Sequence, residues 1–232
     1  MVPIPRSLAR DLWAVFRRLA PGRAGPHPPV ELATGPGGLV ARCQTAEVAV
    51  EFRAPGRRPE GRAVVPLDAL ADAAGRDDTP VEFHPAPAGA IEARWAEAGV
   101  PRVRGYAAPD APPPFPAPPA SPADAPAGLV AALDTACRIA AKEGARYALH
   151  RVQLRGSAGE VVASDGKQML VQGGFTFPWP GDLLVPRTGV FAAPELAAGG
   201  VRVGRTDDHV WVTAGGWSVA LRIDRAGRYP DV

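Results

Sequence analysis

The stretch EGRAVVPLDALADAAG, Glu60–Gly75, occurs twice in this chain in outline. It reads as a strand closed by Val65-Pro66 and followed at once by a short helix. Its counterpart is DLLVPRTGVFAAPEL, Asp182–Leu196, where Val185-Pro186 stands 120 positions further on, and Val201 follows Val81 by the same 120. A repeat of that period is architectural information that no single motif carries.

The flanks of the two copies match as well. Residues 6–19, RSLARDLWAVFRRL, and 128–143, GLVAALDTACRIAAKE, each predict an amphipathic helix. PVELAT, GLVARCQ and EVAVEF follow the first; YALHRVQL, EVVAS and QMLVQG follow the second. Beyond the Val-Pro segments come PVEFHP, GAIEARWA and RVRGYAA in one half, and GVRVGRT, HVWVTAG and WSVALRID in the other. Each half reads helix, three strands, strand, helix, three strands. That predicts an α+β fold of two tandem domains, each with two helices packed on antiparallel sheets. Between them lies AAPDAPPPFPAPPASPADAPA, residues 107–127, whose proline density excludes a helix or a central strand and predicts a stiff connector. The expected domains are 1–106 and 128–232.

The 232 residues, 46% hydrophobic, suffice for one large domain or two ordinary ones. A net charge of +2 excludes a polybasic tail, so any basic surface must come from clustering. Cys43 and Cys137 form no CxxC pair; buried free thiols of a reducing cytosol are the expectation, with a disulfide left open. The first twenty residues lack a signal peptide's unbroken apolar run, and no stretch reaches membrane-spanning length, so a cytoplasmic protein without membrane partners is expected. His27, His84, His150 and His209 are scattered without ligand spacing. There is no G-x-S-x-G elbow, and TGPGG, Thr34–Gly38, lacks the lysine of a phosphate loop and reads as a turn. Asp165 and Glu195 are isolated carboxylates; Trp95, Trp179, Trp211 and Trp217 read as packing residues. No catalytic residue, metal site or cofactor is expected.

At about 100° per residue, Leu8, Leu12, Val15, Phe16 and Leu19 share one side of the first helix, with Arg6, Arg10 and Arg17 opposite. In the second, Leu129, Leu133, Ala136 and Ala140 form the apolar stripe, with Arg138 and Lys142 opposite. Cations in rows attract a polyanion without reading its sequence; a solvated basic face is the plain alternative. The shorter helices add no cation pattern: one carries Asp68 and Asp72, the other Glu195. In ASDGKQML, Ala163–Leu170, the Asp-Gly pair between two strand-like runs predicts a hairpin tip.

Taken together, LDTACRIAAKEGARYALHRVQL, EVVASDGKQML, LLVPRTGVFAAPEL and WSVALRIDRAGRYPDV resemble the central domain of the bacterial DNA polymerase III beta subunit, the sliding-clamp family. EGRAVVPLDALADAAG, PVEF and VRGYAAPDAPPPFP resemble its amino-terminal domain. The resemblance implies the DNA-clamp fold and a non-catalytic processivity factor in DNA replication. Six domains ring double-stranded DNA, with helices inward and sheets outward. It would give DNA contacts to Arg6, Arg10, Arg17, Arg138 and Lys142. It would give a peptide pocket to Leu149, Ser164, Gly166, Lys167, Gln168, Met169 and Pro230, where DNA polymerase and clamp-loader subunits insert short linear peptides. Lys167-Gln168 stands where the family has His-Arg. The family's third domain would begin where RYPDV ends the sequence, so a two-domain form lacking it is expected. Whether such chains form a homo-oligomer, as a trimeric ring or an open form, stays open. The alternative is a clamp-derived protein-interaction module or regulator that does not encircle DNA, favoured by the acidic short helices and the altered pocket.

Overall fold

Proline places the helices. In the computed structural model, which describes residues 1–19, 27–143, 147–197 and 199–230, strand β1 (Val2–Pro5) runs directly into helix α1 (Arg6–Phe16). Pro5 and Pro66 hold φ at −62° and −66°, the value a proline ring imposes at a helix entry. Neither helix behind them has a side-chain cap. For α1, the loop around Asp77–Thr79 takes that role: Arg6 N donates to Thr79 O at 3.0 Å and Ser7 N to Asp77 O at 2.9 Å. Those are donors that a helix start otherwise leaves unpaired.

The chain divides into two compact units, Met1–Thr45 with Val50–Phe115, and Ala46–Ala49 with Pro116–Val232. In the first unit, α1 is followed by β2 (Val30–Gly35), β3 (Gly38–Gln44), β4 (Val48–Ala54) and β5 (Gly61–Val65). Then come α2 (Leu67–Ala73), β6 (Pro80–Pro85), β7 (Ile91–Glu97) and β8 (Val100–Tyr106). The strands order as β1-β6-β7-β8 and β5-β2-β3-β4. The strand that precedes each helix has therefore crossed to the sheet of the other half. Val2 pairs with Phe83 and Ile4 with Val81, while Val30 pairs with Val65. Alternation in β2 and β6 buries Val30, Leu32, Val81 and Phe83, and α1 and α2 pack on each other over Leu12, Val15, Phe16, Leu67 and Leu70.

The second unit repeats the plan. Its elements are β9 (Ala123–Ala125), α3 (Gly128–Ile139), β10 (Arg151–Arg155), β11 (Glu160–Ser164), β12 (Met169–Gln172), β13 (Asp182–Pro186), β14 (Val201–Arg205), β15 (His209–Ala214) and β16 (Trp217–Arg222). They order as β9-β14-β15-β16 and β13-β10-β11-β12, the same crossing of opening strands. α3 buries Leu129, Leu133 and Ala136 over β10 and β11.

Three local features differ from the sequence expectation. The segment 107–127 is not connector throughout: Ala123–Ala125, the proline-free gap between Pro122 and Pro126, forms edge strand β9 against β14. An edge position asks for few donors and so tolerates prolines on either side. The helix expected over 128–143 ends at Ile139, because Ala140 turns to ψ 137° and Ala141 N donates to Leu149 O at 2.9 Å. At the second helix of this unit stand two 3-10 turns, Val190–Ala192 and Pro194–Leu196. Pro194 lacks an N–H and drives Ala193 to ψ 122°, which breaks the α-helical run.

Both cysteines are free and buried, and burial pushes the Cys43 thiol to about 12 and the Cys137 thiol to about 11. They are packing residues rather than reactive ones.

Phe83 is fully buried where β1 crosses onto β6. Phe83→Ala is expected to cost about 3–5 kcal/mol, read as an earlier urea midpoint in tryptophan fluorescence.

Candidate nucleic-acid and peptide interfaces

The five cations expected to meet DNA occupy four different environments. Arg6 is the correction. It is 5% exposed and does not share the solvent face of Arg10 and Arg17. Side chains lean toward the start of their helix, and a first-turn residue covers whatever abuts that start. Here that is the end of α2. Arg6 Nε donates to Ala73 O at 3.1 Å and Nη2 to Ala74 O at 3.2 Å. Nη1 reaches Ala96 O and Asp77 Oδ2, and Nη2 reaches Glu97 Oε1, each at 3.3 Å. The guanidinium thus fills the carbonyl-rich, negative end of α2 and anchors β7. Gly75 leaves it room: a Cβ there would lie 2.8 Å from Arg6 Cζ and Nε.

Arg10 and Arg138 are exposed but engaged. Arg10 Nη2 pairs with Asp11 at 3.0 Å, and Arg138 Nη2 with Asp134, one turn back, at 2.6 Å. Exposed pairs of this kind hold by less than about 1 kcal/mol, so a phosphate can replace either carboxylate. Arg17 is exposed just past α1, its guanidinium 4.6 Å from the centroid of the Trp13 ring. Lys142 is exposed but lies beyond the end of α3, so it does not extend the row begun by Arg138. On α2, Asp68 is exposed, whereas Asp72 is bound by Arg104 Nη1 and by the Tyr106 hydroxyl, both at 2.8 Å.

The peptide set falls around the β11–β12 turn. Ser164 pairs with Met169, so the loop has four residues, Asp165–Gln168, rather than the two of the tightest hairpins. Asp165 organises it: Oδ1 accepts the Lys167 and Gln168 amides, both at 2.9 Å. Ser164 Oγ donates to Gln168 O at 2.8 Å and accepts the Gly166 amide at 3.0 Å. Gly166 holds φ +88°, and a Cβ there would stand 3.5 Å from Leu149 Cδ1. Leu149 packs on the buried cluster of Ala148, Val162, Leu184 and Tyr229, and Pro230 follows Tyr229 half-buried. Leu149, Ser164 and Gly166 are thus brought to one place, while Lys167, Gln168 and Met169 form the exposed tip. Met169 and Val171 stand out at 41% and 46% exposure on edge strand β12.

Sequence reading missed Trp13 and Val171. The signals were present: Trp13 stands four residues before Arg17, and Val171 alternates with Met169. Among the described residues no group of three or more His, Cys, Asp or Glu could hold a metal ion, and no helix is long and apolar enough to cross a membrane.

Two units with crossed opening strands and a helical layer define the DNA sliding-clamp fold. The chain is similar to the DNA polymerase III beta subunit of Pseudomonas aeruginosa, with TM-score 0.73 and 20% identity, covering 99% of this chain and 66% of that one. The sliding clamp of Bacillus subtilis gives 0.73 at 14% identity, over 99% and 65%. That of Bartonella birtlesii, bound to griselimycin, gives 0.73 at 16%, over 99% and 66%. At these identities the likeness establishes the fold, and the chain spans about two thirds of the length of these clamps. No family model and no curated protein matches the sequence.

Two outcomes are expected here. Arg6→Gln leaves the α2 carbonyls short of donors and lowers stability by about 1–3 kcal/mol, measurable by denaturant titration, and Gly75→Ala destabilises in the same direction. The amides of Gln168 and Lys167 hold the Asp165 carboxyl below its ordinary 3.8. A depressed carboxylate supports the fold above its unfolded value and loses that support as pH falls through the folded one. Carbon-detected NMR titration should therefore place the Asp165 midpoint below 3.8, and a midpoint at or above it would remove the turn from the account.

Proposed function

We propose that the chain is a non-catalytic, clamp-like processivity factor of DNA replication. It holds double-stranded DNA by non-specific phosphate contacts and tethers DNA polymerase and clamp-loader subunits through short linear peptides. The observation that carries this reading is a clamp fold matched over 99% of the chain. In this role the two compact units described above act as the two clamp domains. Arg10, Arg17, Arg138 and Lys142 are the proposed DNA contacts; Arg6 serves by holding α1 against α2. The peptide site is Leu149, Ser164, Gly166, Lys167, Gln168, Met169 and Pro230. Methionine suits such a site because its unbranched thioether repacks around varied side chains.

Chains are proposed to associate edge to edge in the cytoplasm. β8 and β12 are edge strands, and they expose Val100, Val103 and Val171 at 51%, 62% and 46%. Unpaired apolar edges invite another strand. Three copies of a two-unit chain would supply six units, and a head-to-tail contact closes only if the rotation per copy suits, an open form being the other result.

A second reading is a clamp-derived interaction module that does not encircle DNA. It is favoured by the carboxylates that Asp11 and Asp134 place on Arg10 and Arg138. Sedimentation with nicked circular and linearised duplex separates the two. The clamp reading expects a trimer retained on circles and lost from linear ends; a strict monomer at micromolar concentration, released from both, rejects it. Charge reversal at Arg10, Arg17 and Arg138 should abolish DNA retention while sparing peptide capture. Met169→Asp should weaken capture of a polymerase-derived peptide by at least about ten-fold, as removal of a central anchor does, with thermal stability unchanged.

A further inference from the structure

Arg17 differs from the other exposed cations of the helices in what holds it. Arg10 and Arg138 are each tied to a carboxylate of their own helix. Arg18, its neighbour, spends its Nε on Ala14 O at 3.1 Å. Arg17 has an aromatic face instead: its Cζ lies 4.6 Å from the centroid of Trp13, one turn earlier. Trp13 is half-buried on a helix whose Leu12, Val15 and Phe16 are fully buried. A half-buried indole has little freedom to turn, and a guanidinium lying on it surrenders rotamer freedom before any ligand arrives. The stack leaves the charge intact and the donor edge open, which an ion pair does not.

On this geometry we infer that Trp13 is a positioning residue, which holds the Arg17 guanidinium as a preorganised cation for a phosphate of duplex DNA. The inference rests on the DNA-binding reading above and assigns within it the strongest single contact at the end of α1. The occupant is set by charge and shape: a planar guanidinium, with no carboxylate partner among the described residues, can donate to two oxygens of one phosphodiester side by side. A fixed donor also loses less entropy per contact than a free side chain.

The test is a double-mutant cycle on the full chain, with a fluorescent 30-base-pair duplex as the probe and affinity measured against salt. Arg17→Gln should weaken binding and lower the magnitude of the salt slope by about 0.9, one phosphate contact. Trp13→Leu should leave that slope unchanged and weaken binding about three-fold, the worth of an exposed cation–π contact. In the Arg17→Gln background Trp13→Leu should do nothing further, and Trp13→Phe should recover most of the loss. Equal losses from Trp13→Leu in both backgrounds, or no loss, would overturn the inference while leaving DNA binding in place. No binding by the unaltered protein would overturn both. Should Trp13→Leu not fold, the unaltered protein carries the test by NMR. The Arg17 side-chain protons should be shifted upfield by the indole and the shift should move on duplex addition; an averaged, unshifted guanidinium would refute it.

Discussion

The antiparallel ladders that join β1 to β6 and β2 to β5 constrain everything else in the first unit. Each carries a strand of one half into the sheet of the other, so neither half closes a core alone. Because a helix begins on the residue after each exchanged strand, or one proline later, the ladders also fix where α1 and α2 start. The two helices then pack together, and the end of α2 meets the beginning of α1. That meeting brings carbonyls without donors next to amides without acceptors. The protein resolves it with one buried side chain, Arg6, and with the backbone of Asp77 and Thr79. The second unit exchanges its opening strands in the same way, with β9 on β14 and β13 on β10.

The doubled pattern was visible in the residues, and so were most strands, because alternation in segments such as PVEFHP and PVELAT maps directly onto buried and exposed faces. What escaped was the finer period. The four prolines Pro5, Pro66, Pro126 and Pro186 stand at or just after the ends of β1, β5, β9 and β13, at intervals of 61, 60 and 60 residues. The order of elements already suggested that each half is doubled, but the proline spacing was hidden, since β1 and β9 are short edge strands and β9 lies inside a stretch that read as connector. At an edge, one side of the strand needs no donors, so prolines cost little there and propensity misleads. The lost α-helix at Val190–Leu196 is the converse case: Pro194 was plain in the sequence, but the helical pattern around it was given more weight.

The site was less legible than the fold for a physical reason. A helical wheel assigns each residue an angle but not what lies beyond the helix ends. Arg6 sits on the polar side by angle, yet the first turn of α1 abuts α2, and burial follows from that neighbour rather than from the period. Lys142 fails for the opposite reason, because the helix stops before reaching it. Arg10 and Arg138, inside regular elements, stand exposed on the face that the helical angle assigns them. For the turn at Asp165, local chemistry sufficed: an Asp before Gly captures the next amides whatever the surroundings, and it does so here at 2.9 Å.

The charges of the helices bear on how DNA would be held in the proposed role. Arg10, Arg104 and Arg138 each sit beside a carboxylate, in a chain whose net charge is only +2. Pairing of this kind costs little to break at the surface, so a phosphate can take the place of Asp11 or Asp134 and leave again with small free-energy change. Few cations and exchangeable partners give weak, sequence-independent contacts with a shallow salt dependence. Such contacts cannot by themselves keep a protein on DNA for long. Retention would have to come from closure around the duplex, which moves the weight of the proposed function from the arginines to the edge strands. A side chain held before binding, as Arg17 is inferred to be on Trp13, would then add one contact and a fixed orientation to a duplex retained by closure.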